Sequence, residues 1–588
     1  MLSLPAFCWC LISSLLYWLC FFPVNAGWLG WIALVPLGWV LQQYIMTGSP
    51  PLQGGVGGGA DQASTLHAST PPNLPLSRRG TNTRWFHRPL LAAWLGGLAF
   101  CLMAFRWICL ASAPMIAVYI VLSLIISLQW YLFFLFTRIV HLRLRLPWFL
   151  AGAIVWTALE YIRSQIYIGY SWYSLGHTQH EEVMLTQCAD LAGVYGLSFI
   201  VMLVNLSLAR VTLKRTLATV CWELVPAVIL VGLASWYGFV QLQSDAANLT
   251  PPQTPRIAIL QGNQPQDLRN DPEKWRTIDV TYFNLGEAAV RYRPELIIAP
   301  ETCLSFSWIR MDGDVVPEFA ARKFPEFPWD RMVQNCRAWL KFHTERWNTD
   351  LLFGFNTFDL HHNNIKHTNS AILFLKNGKE AGIYDKIVCL PFGEYIPLAE
   401  TLPFMKLLSP YKYEYTIQPG TELTTLSWRE YRIAPLVCYE DSVHDQCRNF
   451  VRLHHPHFFV NMSNDGWFKG SEEHEQHLVN ARFRCIENRR SMVRSVNMGI
   501  SCIIDPLGRV IALPATVPPR PDDKGAIPAV DLKGSEWRQA KDREGILIGS
   551  VPLSDETSIY TRYGDVLPWA CWVVMIAGVV FNLLRRKV

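Results

Sequence analysis

Residues 432–439 read RIAPLVCY, and residues 458–463 read FFVNMS. Each is a short, nearly unbroken apolar run, rich in β-branched and aromatic residues and too short for an ordinary helix. Such runs read as strands buried on both faces. The same kind of run recurs as RIAIL at 256–260, ELIIAP at 295–300, DLLFGF at 350–355 and SAILFL at 370–375. Helical periodicity lies between several of them, at 329–347 and 471–490. Apolar strands alternating with helices predict an α/β domain with covered sheets. Polar side chains then fall at strand ends: Glu301 directly after ELIIAP, Cys438 near the end of RIAPLVCY, Asn464 and Asp465 after FFVNMS. A strand end is a rigid place to hold a reacting group.

Outward from this region the composition changes. Over 588 residues, 51% are hydrophobic and 17% are charged, against roughly 25% charged in ordinary soluble domains. The apolar residues crowd into 1–240 and 567–584. A bilayer core needs about 20 apolar residues per helix. Eight segments are read as spans, near 3–22, 28–46, 89–109, 113–136, 147–168, 190–209, 217–240 and 567–584. The first lacks a basic leading region and a second span follows at once, so it reads as a span rather than a signal peptide.

With the N-terminus in the cytoplasm, the inner loops carry Arg78, Arg79, Arg84 and Arg88, then Arg138, Arg143 and Arg145, then Arg210, Lys214 and Arg215. The tail adds Arg585, Arg586 and Lys587. Only Arg106 and Arg163 fall near the outer side, so the positive-inside rule is satisfied this way round. The expected plan is spans 1–2 over 1–46, a flexible cytoplasmic linker over 47–88 (GGVGGGA, STPPNLP), and spans 3–7 over 89–240. An outward, periplasmic domain over 241–566 and a final span with a basic tail over 567–588 complete it. Glu160 and Arg163, three apart near the outer end of a span, are candidates for a functional or mutually paired couple.

The net charge is +5. Its basic surplus lies outside 241–566, where Asp and Glu outnumber Lys and Arg, so the outer domain has no nucleic-acid footprint. The 15 cysteines show no metal-ligand spacing, and no metal or organic cofactor is implied.

A cysteine thiol becomes a nucleophile only with a base or cation to help it lose its proton. Taken singly, Cys438 reads as a buried strand cysteine, Glu301 as a turn acid and Lys386 as a surface lysine. Together they occur in a known order. The run of strand-Glu, YDKIVCLPFGEYIP (384–397), LVCYED (436–441) and NMSNDGWF (461–468) resembles the carbon–nitrogen hydrolase (nitrilase) superfamily. The resemblance is closer to the apolipoprotein N-acyltransferase family. It is carried also by QGNQPQDLRNDPEKW (261–275), EQHLVNARFRCIENRRSMVRSVNMGIS (475–501) and TRYGD (561–565). In the membrane half it is carried by SWYSLGHTQ (171–179) and LAGVYGLSFIVMLVN (191–205).

The resemblance implies an α-β-β-α sandwich over 250–555 and a Glu-Lys-Cys catalytic set of Glu301, Lys386 and Cys438. Glu394, Tyr439 and Glu440 are implied as supporting residues, with Asn464, Asp465, Trp467 and Phe468 as further candidates. It implies acyl transfer from a membrane phospholipid, through a cysteine thioester, to the α-amino group of a diacylated apolipoprotein, in the inner membrane of the cell. Three positions depart from the family pattern: Asn270, where Trp is usual, with Trp275 five residues on, and Cys303 and Cys389. The aromatic stretches at 403–415 and 324–329 are expected to form lateral access from the bilayer. Two alternatives use the same residues differently: a membrane-anchored amidase with water as acceptor, and a transporter or receptor with an inert nitrilase-like domain.

Overall fold

The computed structural model describes residues 5–46, 88–166, 169–248, 255–269, 271–313, 315–361, 364–409, 416–514, 532–541 and 543–585. The predicted linker 47–88 lies, but for Arg88, outside them.

Among the described residues, five helices are long and apolar enough to cross a membrane: Gly27–Met46, Met115–Leu144, Ala189–Lys214, Leu217–Ser244 and Val566–Leu584. The other three predicted spans are helices that fall short by length or by charge. Ala6–Leu19 and Pro89–Ala104 are apolar but short. The second gives way at Phe105 to a 3-10 turn, Arg106–Leu110, where the sequence reading ran the helix on to 109. Trp148–Gln165 carries Glu160 and Arg163. Glu160 is not paired with Arg163. It accepts from Trp156 Nε1 at 2.9 Å and from the Leu175 amide at 2.7 Å. Arg163 donates instead to Gln129, the Trp172 carbonyl and Ser174. Gly96 lets two short helices meet, since a Cβ there would lie 2.8 Å from Cys10 Cβ. Small residues allow this close approach where lipid offers no hydrophobic drive to associate.

Beyond the bundle, the described residues form two sheets. One runs β13 (Gly545–Ser550), β1 (Arg256–Gln261), β2 (Leu296–Ile298), β4 (Asp350–Asp359), β5 (Lys366–Phe374), β6 (Glu380–Asp385), with β3 (Trp308–Arg310) beside β4. The other runs β12 (Val510–Ala512), β11 (Cys502–Ile504), β10 (Ser491–Val496), β9 (Phe458–Ser463), β8 (Tyr431–Val437), β7 (Leu426–Trp428). The six apolar runs read from sequence are all strands.

Alternate residues of the first sheet divide between two cores, as the two-residue period of a strand requires. Ile257, Ile259, Leu352 and Leu373 face the second sheet. Ala258, Leu260, Phe353 and Phe374 face the helices Trp275–Val290 and Trp329–Trp347. The second sheet is covered in turn by His444–His454 and Glu473–Asn488, whose Phe450, Val451, Leu478 and Val479 are buried with it. The order is helix, sheet, sheet, helix.

That last helical layer rests on the bundle. Helix Ala189–Lys214 leaves helical geometry at Ala192 and Gly193, where φ is +65° at the glycine. The break frees the Val194 amide to donate to Glu487 at 2.9 Å. One turn away, Arg489 donates to Asp190 (Nε, 3.2 Å) and to Gln187 (2.6 Å), all three side chains buried. Tyr237 and Gln241 also donate to Asp190, at 2.8 and 3.3 Å. Arg489→Leu should therefore lower stability towards the lower end of about 3–5 kcal/mol, the usual cost of stranding a buried charge. The readout is the thermal midpoint in detergent. Adding Asp190→Leu should recover part of the loss, and an unchanged midpoint in the single variant would show that this pair does not hold the two halves together.

Candidate active site

Cys438 directly follows β8 (Tyr431–Val437) and opens the turn Cys438–Ser442, with φ at 54°, the left-handed region. A side chain there costs backbone strain and persists only where surroundings over-determine it. They do so here. The Asn461 side chain donates to the Cys438 carbonyl at 3.0 Å. Glu440, fully buried, accepts from the Val437 amide at 2.8 Å, from the Ile387 and Val388 amides at 2.7 and 3.0 Å, and from Tyr384 Oη at 2.8 Å. The Glu440 carboxylate thus staples the turn Cys438–Ser442 to the segment that follows Lys386. It faces away from the cavity that Cys438 lines. Burial pushes the Glu440 carboxyl up, while these amide donors pull it back.

Tyr439 also turns away. Its hydroxyl donates to the Gly169 carbonyl, and its ring stacks on Trp172 at 6.4 Å and 16°. Trp172 Nε1 and Ser171 Oγ bond to Ser442 Oγ and O, both at 2.8 Å. The turn that bears Cys438 is therefore moored on the loop between two bundle helices.

Glu301 stands in the turn after β2. Gly354 makes room for it: a Cβ at Gly354 would fall 2.5 Å from the Pro300 carbonyl oxygen and 2.7 Å from Glu301 Cα. Lys386 follows β6, almost wholly buried. Its Nζ is 2.8 Å from Glu394 Oε2 and 3.5 Å from Glu301 Oε1. Glu394 is fixed by the Leu390 amide at 2.7 Å. Asn369, in the middle of β5, donates one amide to both acids, at 2.6 Å to Glu301 and 3.0 Å to Glu394. The sequence reading did not single out Asn369. Its signal was a polar residue inside an apolar strand run, which by itself does not say what the amide meets.

Burial works against the Lys386 ammonium, but Glu394 and then Glu301 outweigh it, so the lysine keeps its proton well above the ordinary range. Burial raises the Glu301 carboxyl; Lys386 draws it down and Glu394 raises it again. Burial, then the Glu301 charge, pushes the Cys438 thiol well up, against the pull of Lys386. At rest the thiol is protonated with a basic carboxylate and a fixed cation beside it. That arrangement suits attack on a carbonyl, with one group to take the proton and another to meet the oxyanion.

These four side chains line one cavity of about 480 Å³. Asn369, Asn464, Trp467 and Phe468 share its wall, as do Trp275 and Phe327. Ala111 and Met115, at the start of the membrane helix Met115–Leu144, close it from the bundle side. Of the two aromatic stretches, 324–329 supplies Phe327. In the other, Pro403–Leu408 is a 3-10 helix with Phe404 and Leu407 exposed, and 410–415 lie outside the described residues. Among the departures from the family pattern, Asn270 is outside the described residues, while Trp275 does reach the cavity. Cys303 and Cys389 are buried and do not line it, and none of the fifteen cysteines is joined in a disulfide. Burial holds the Cys389 thiol up to about 12.

The carbon-nitrogen hydrolase family matches residues 256–520, and the apolipoprotein N-acyltransferase N-terminal domain matches residues 74–207. The Apolipoprotein N-acyltransferase of Geobacter metallireducens is 31% identical over 439 residues, 74% of this chain and 74% of that one. The protein of that name from Chlorobaculum tepidum is 29% identical over 517 residues, 83% and 86% of the two chains. The one from Rhodopseudomonas palustris is 26% identical over 530 residues, 84% and 86%. With a nitrilase-type domain set on apolar membrane helices, the chain belongs to the apolipoprotein N-acyltransferase family.

Proposed function

We propose that this acyltransferase moves a fatty acyl chain from a membrane phospholipid, through a thioester on Cys438, to the α-amino group of the diacylglyceryl cysteine of an apolipoprotein. The observation that carries the reading is the cavity itself: Cys438, Lys386 and Glu301 meet in a space whose wall includes Ala111 and Met115 of the membrane half. A lipid ester lying in the bilayer surface can reach a thiol placed there.

In the first half-reaction Glu301 takes the Cys438 proton, and the thiolate sulfur bonds to the ester carbonyl carbon. The Lys386 ammonium meets the oxyanion. Collapse breaks the carbon–oxygen bond, Glu301 returns the proton to the departing alkoxide, and a lysophospholipid leaves an acyl-Cys438. In the second, the neutral acceptor amine attacks the thioester carbon. Glu301 takes a proton from nitrogen and the Cys438 thiolate departs, to be reprotonated by Glu301. The product is an amide. Glu394 and Asn369 hold Lys386 and Glu301 in register throughout, and Tyr439 and Glu440 support the nucleophile turn from outside the cavity.

The domain plan and orientation belong to the same reading. Arg138, Arg143 and Arg145 flank one end of Met115–Leu144, and Arg210, Lys214 and Arg215 one end of Ala189–Lys214, with the α/β domain at the opposite ends. The positive-inside rule puts those ends in the cytoplasm and the domain over 241–566 on the far side, in the periplasm of a cell that has one.

Intact mass spectrometry after incubation with phosphatidylethanolamine tests the thioester. A fatty-acyl increment should appear on wild type and not on Cys438→Ser, and should be removed by hydroxylamine or by a diacylated lipopeptide. Loss of the increment as free fatty acid, unaided by lipopeptide, would make water the acceptor; no increment would remove Cys438 from the chemistry.

The pH profile tests Glu301. The base must be ionised to accept a proton, and its carboxyl is raised by burial. Thioester formation should therefore rise with pH through a midpoint above the ordinary carboxylate value of about 4.3. Glu301→Gln should abolish that limb. Lys386→Met should slow acylation by roughly 10²–10³, the usual loss for one oxyanion donor; a smaller effect would take the oxyanion away from Lys386.

A further inference from the structure

Behind the cavity lies a set of ionisable side chains that line none of it. His477, on Glu473–Asn488, is almost wholly buried. Its Nε2 is 2.7 Å from Asp441 Oδ1, and its Nδ1 is 3.2 Å from Asp465 Oδ1. Asp441 belongs to the turn that begins at Cys438. Asp465 begins the turn Asp465–Phe468, whose Trp467 and Phe468 wall the cavity. Arg494 on β10 donates to Asp441, and its Nη2 is 3.9 Å from Asp465 Oδ2. Glu473 stands 3.8 Å from His477 Nδ1, and His474 Nε2 meets the Asp465 carbonyl at 3.0 Å. Trp172, from the membrane half, covers the His477 ring at 5.5 Å.

A neutral imidazole has one N–H and donates to one acceptor. A carboxylate at each ring nitrogen calls for a proton on both. Burial disfavours the cation, yet Asp441 and Asp465 outweigh it and hold His477 up to about 10. Asp465, despite burial, is kept well below the carboxylate range by His477. Burial and then Asp465 push the Glu473 carboxyl well up, against the pull of His477 and Arg494. The spacing of Asp465, Glu473 and His477 is that of a cation site, but the buried Arg494 guanidinium against both aspartates already supplies positive charge there.

We propose that His477 is a positioning residue for the transfer: as an imidazolium bonded through both nitrogens, it ties the turn presenting Cys438 to the turn walling its cavity, and screens the thiol from Asp465. Asp465 adds to burial and Glu301 in raising that thiol, so removing the imidazolium takes away the nearer of the cations that offset this charge and leaves Arg494, its Nη2 3.9 Å from Asp465 Oδ2, to do so. The inference deepens the acyl-transfer reading, and its test does not depend on that reading.

Iodoacetamide alkylation of Cys438 across pH, followed by peptide mass spectrometry, reads thiol acidity and access whether or not acyl transfer occurs. His477→Gln should shift the onset of alkylation up by about one pH unit, about tenfold slower at pH 7. Asp465→Asn should shift it down. His477→Gln with Asp465→Asn should return to within about twofold of wild type, because the excess negative charge is gone. Thioester formation from phosphatidylethanolamine, measured alongside, should follow the same order. An onset unmoved in His477→Gln, or a loss that Asp465→Asn does not restore, overturns the inference and leaves His477 a packing residue. Should His477→Gln not fold, Asp465→Asn alone decides by the direction of its shift. The predicted alkylation order with no thioester even in wild type would uphold His477 and sink the acyl-transfer chemistry instead.

Discussion

An ammonium inside a protein survives only where opposite charge replaces the water it has lost, because an unpaired buried ion costs several kcal/mol. Lys386 is met by two carboxylates, Glu394 at 2.8 Å and Glu301 at 3.5 Å. The two acids in turn need the lysine and Asn369 to lie so near each other. None of the four is stable in its place without the others. They come from the turn after β2, from β5, from the end of β6 and from the segment beyond it, so the first sheet must be formed before the set exists. Its electrostatics follow from the same constraint: the lysine stays charged, and Glu301 is basic enough to take a proton.

Cys438 is held by the second sheet and brought to that set across the gap between sheets. Its strained backbone is fixed from both sides. Glu440 bonds forward to the amides after Lys386, and Asp441 bonds back to His477 and Arg494. Two consecutive acids point opposite ways along a tight turn, and each fastens Cys438 to a different part of the domain. Ser442 and Tyr439 add a third mooring, to Ser171, Trp172 and Gly169 of the membrane half. The thiol's geometry therefore depends on the bundle as well as on the sandwich. The proposed function gives a reason for this: a carbonyl arriving from the bilayer requires thiol and membrane surface to keep a fixed relation.

Much of this was legible along the chain. The six apolar runs are strands, the helix predicted at 329–347 is Trp329–Trp347, and Glu301, Lys386, Glu394 and Cys438 line one cavity. The short strands β3, β7, β11 and β12, three residues each, left no periodic signal. In β10 the buried Arg494 broke the apolar pattern that would have marked it. Tyr439 and Glu440, expected as supporting residues, flank Cys438 and turn away from the cavity, because a 3-10 turn fans successive side chains in different directions. Trp275 reaches the cavity, which spacing alone left open.

The sequence by itself determined the kinds of layer, the apolar helices, and which chemical groups were available in which order. Those depend on local periodicity and on residue types, and both are written along the chain. Tertiary structure alone decided which groups touch. Asn369 bridges two acids 68 and 25 residues away, and His477 joins turns 36 and 12 residues away. Arg489 closes on Asp190 across 299. Such pairings are set by burial and by the need of each buried charge for a partner, a condition on the whole folded chain that no local pattern records.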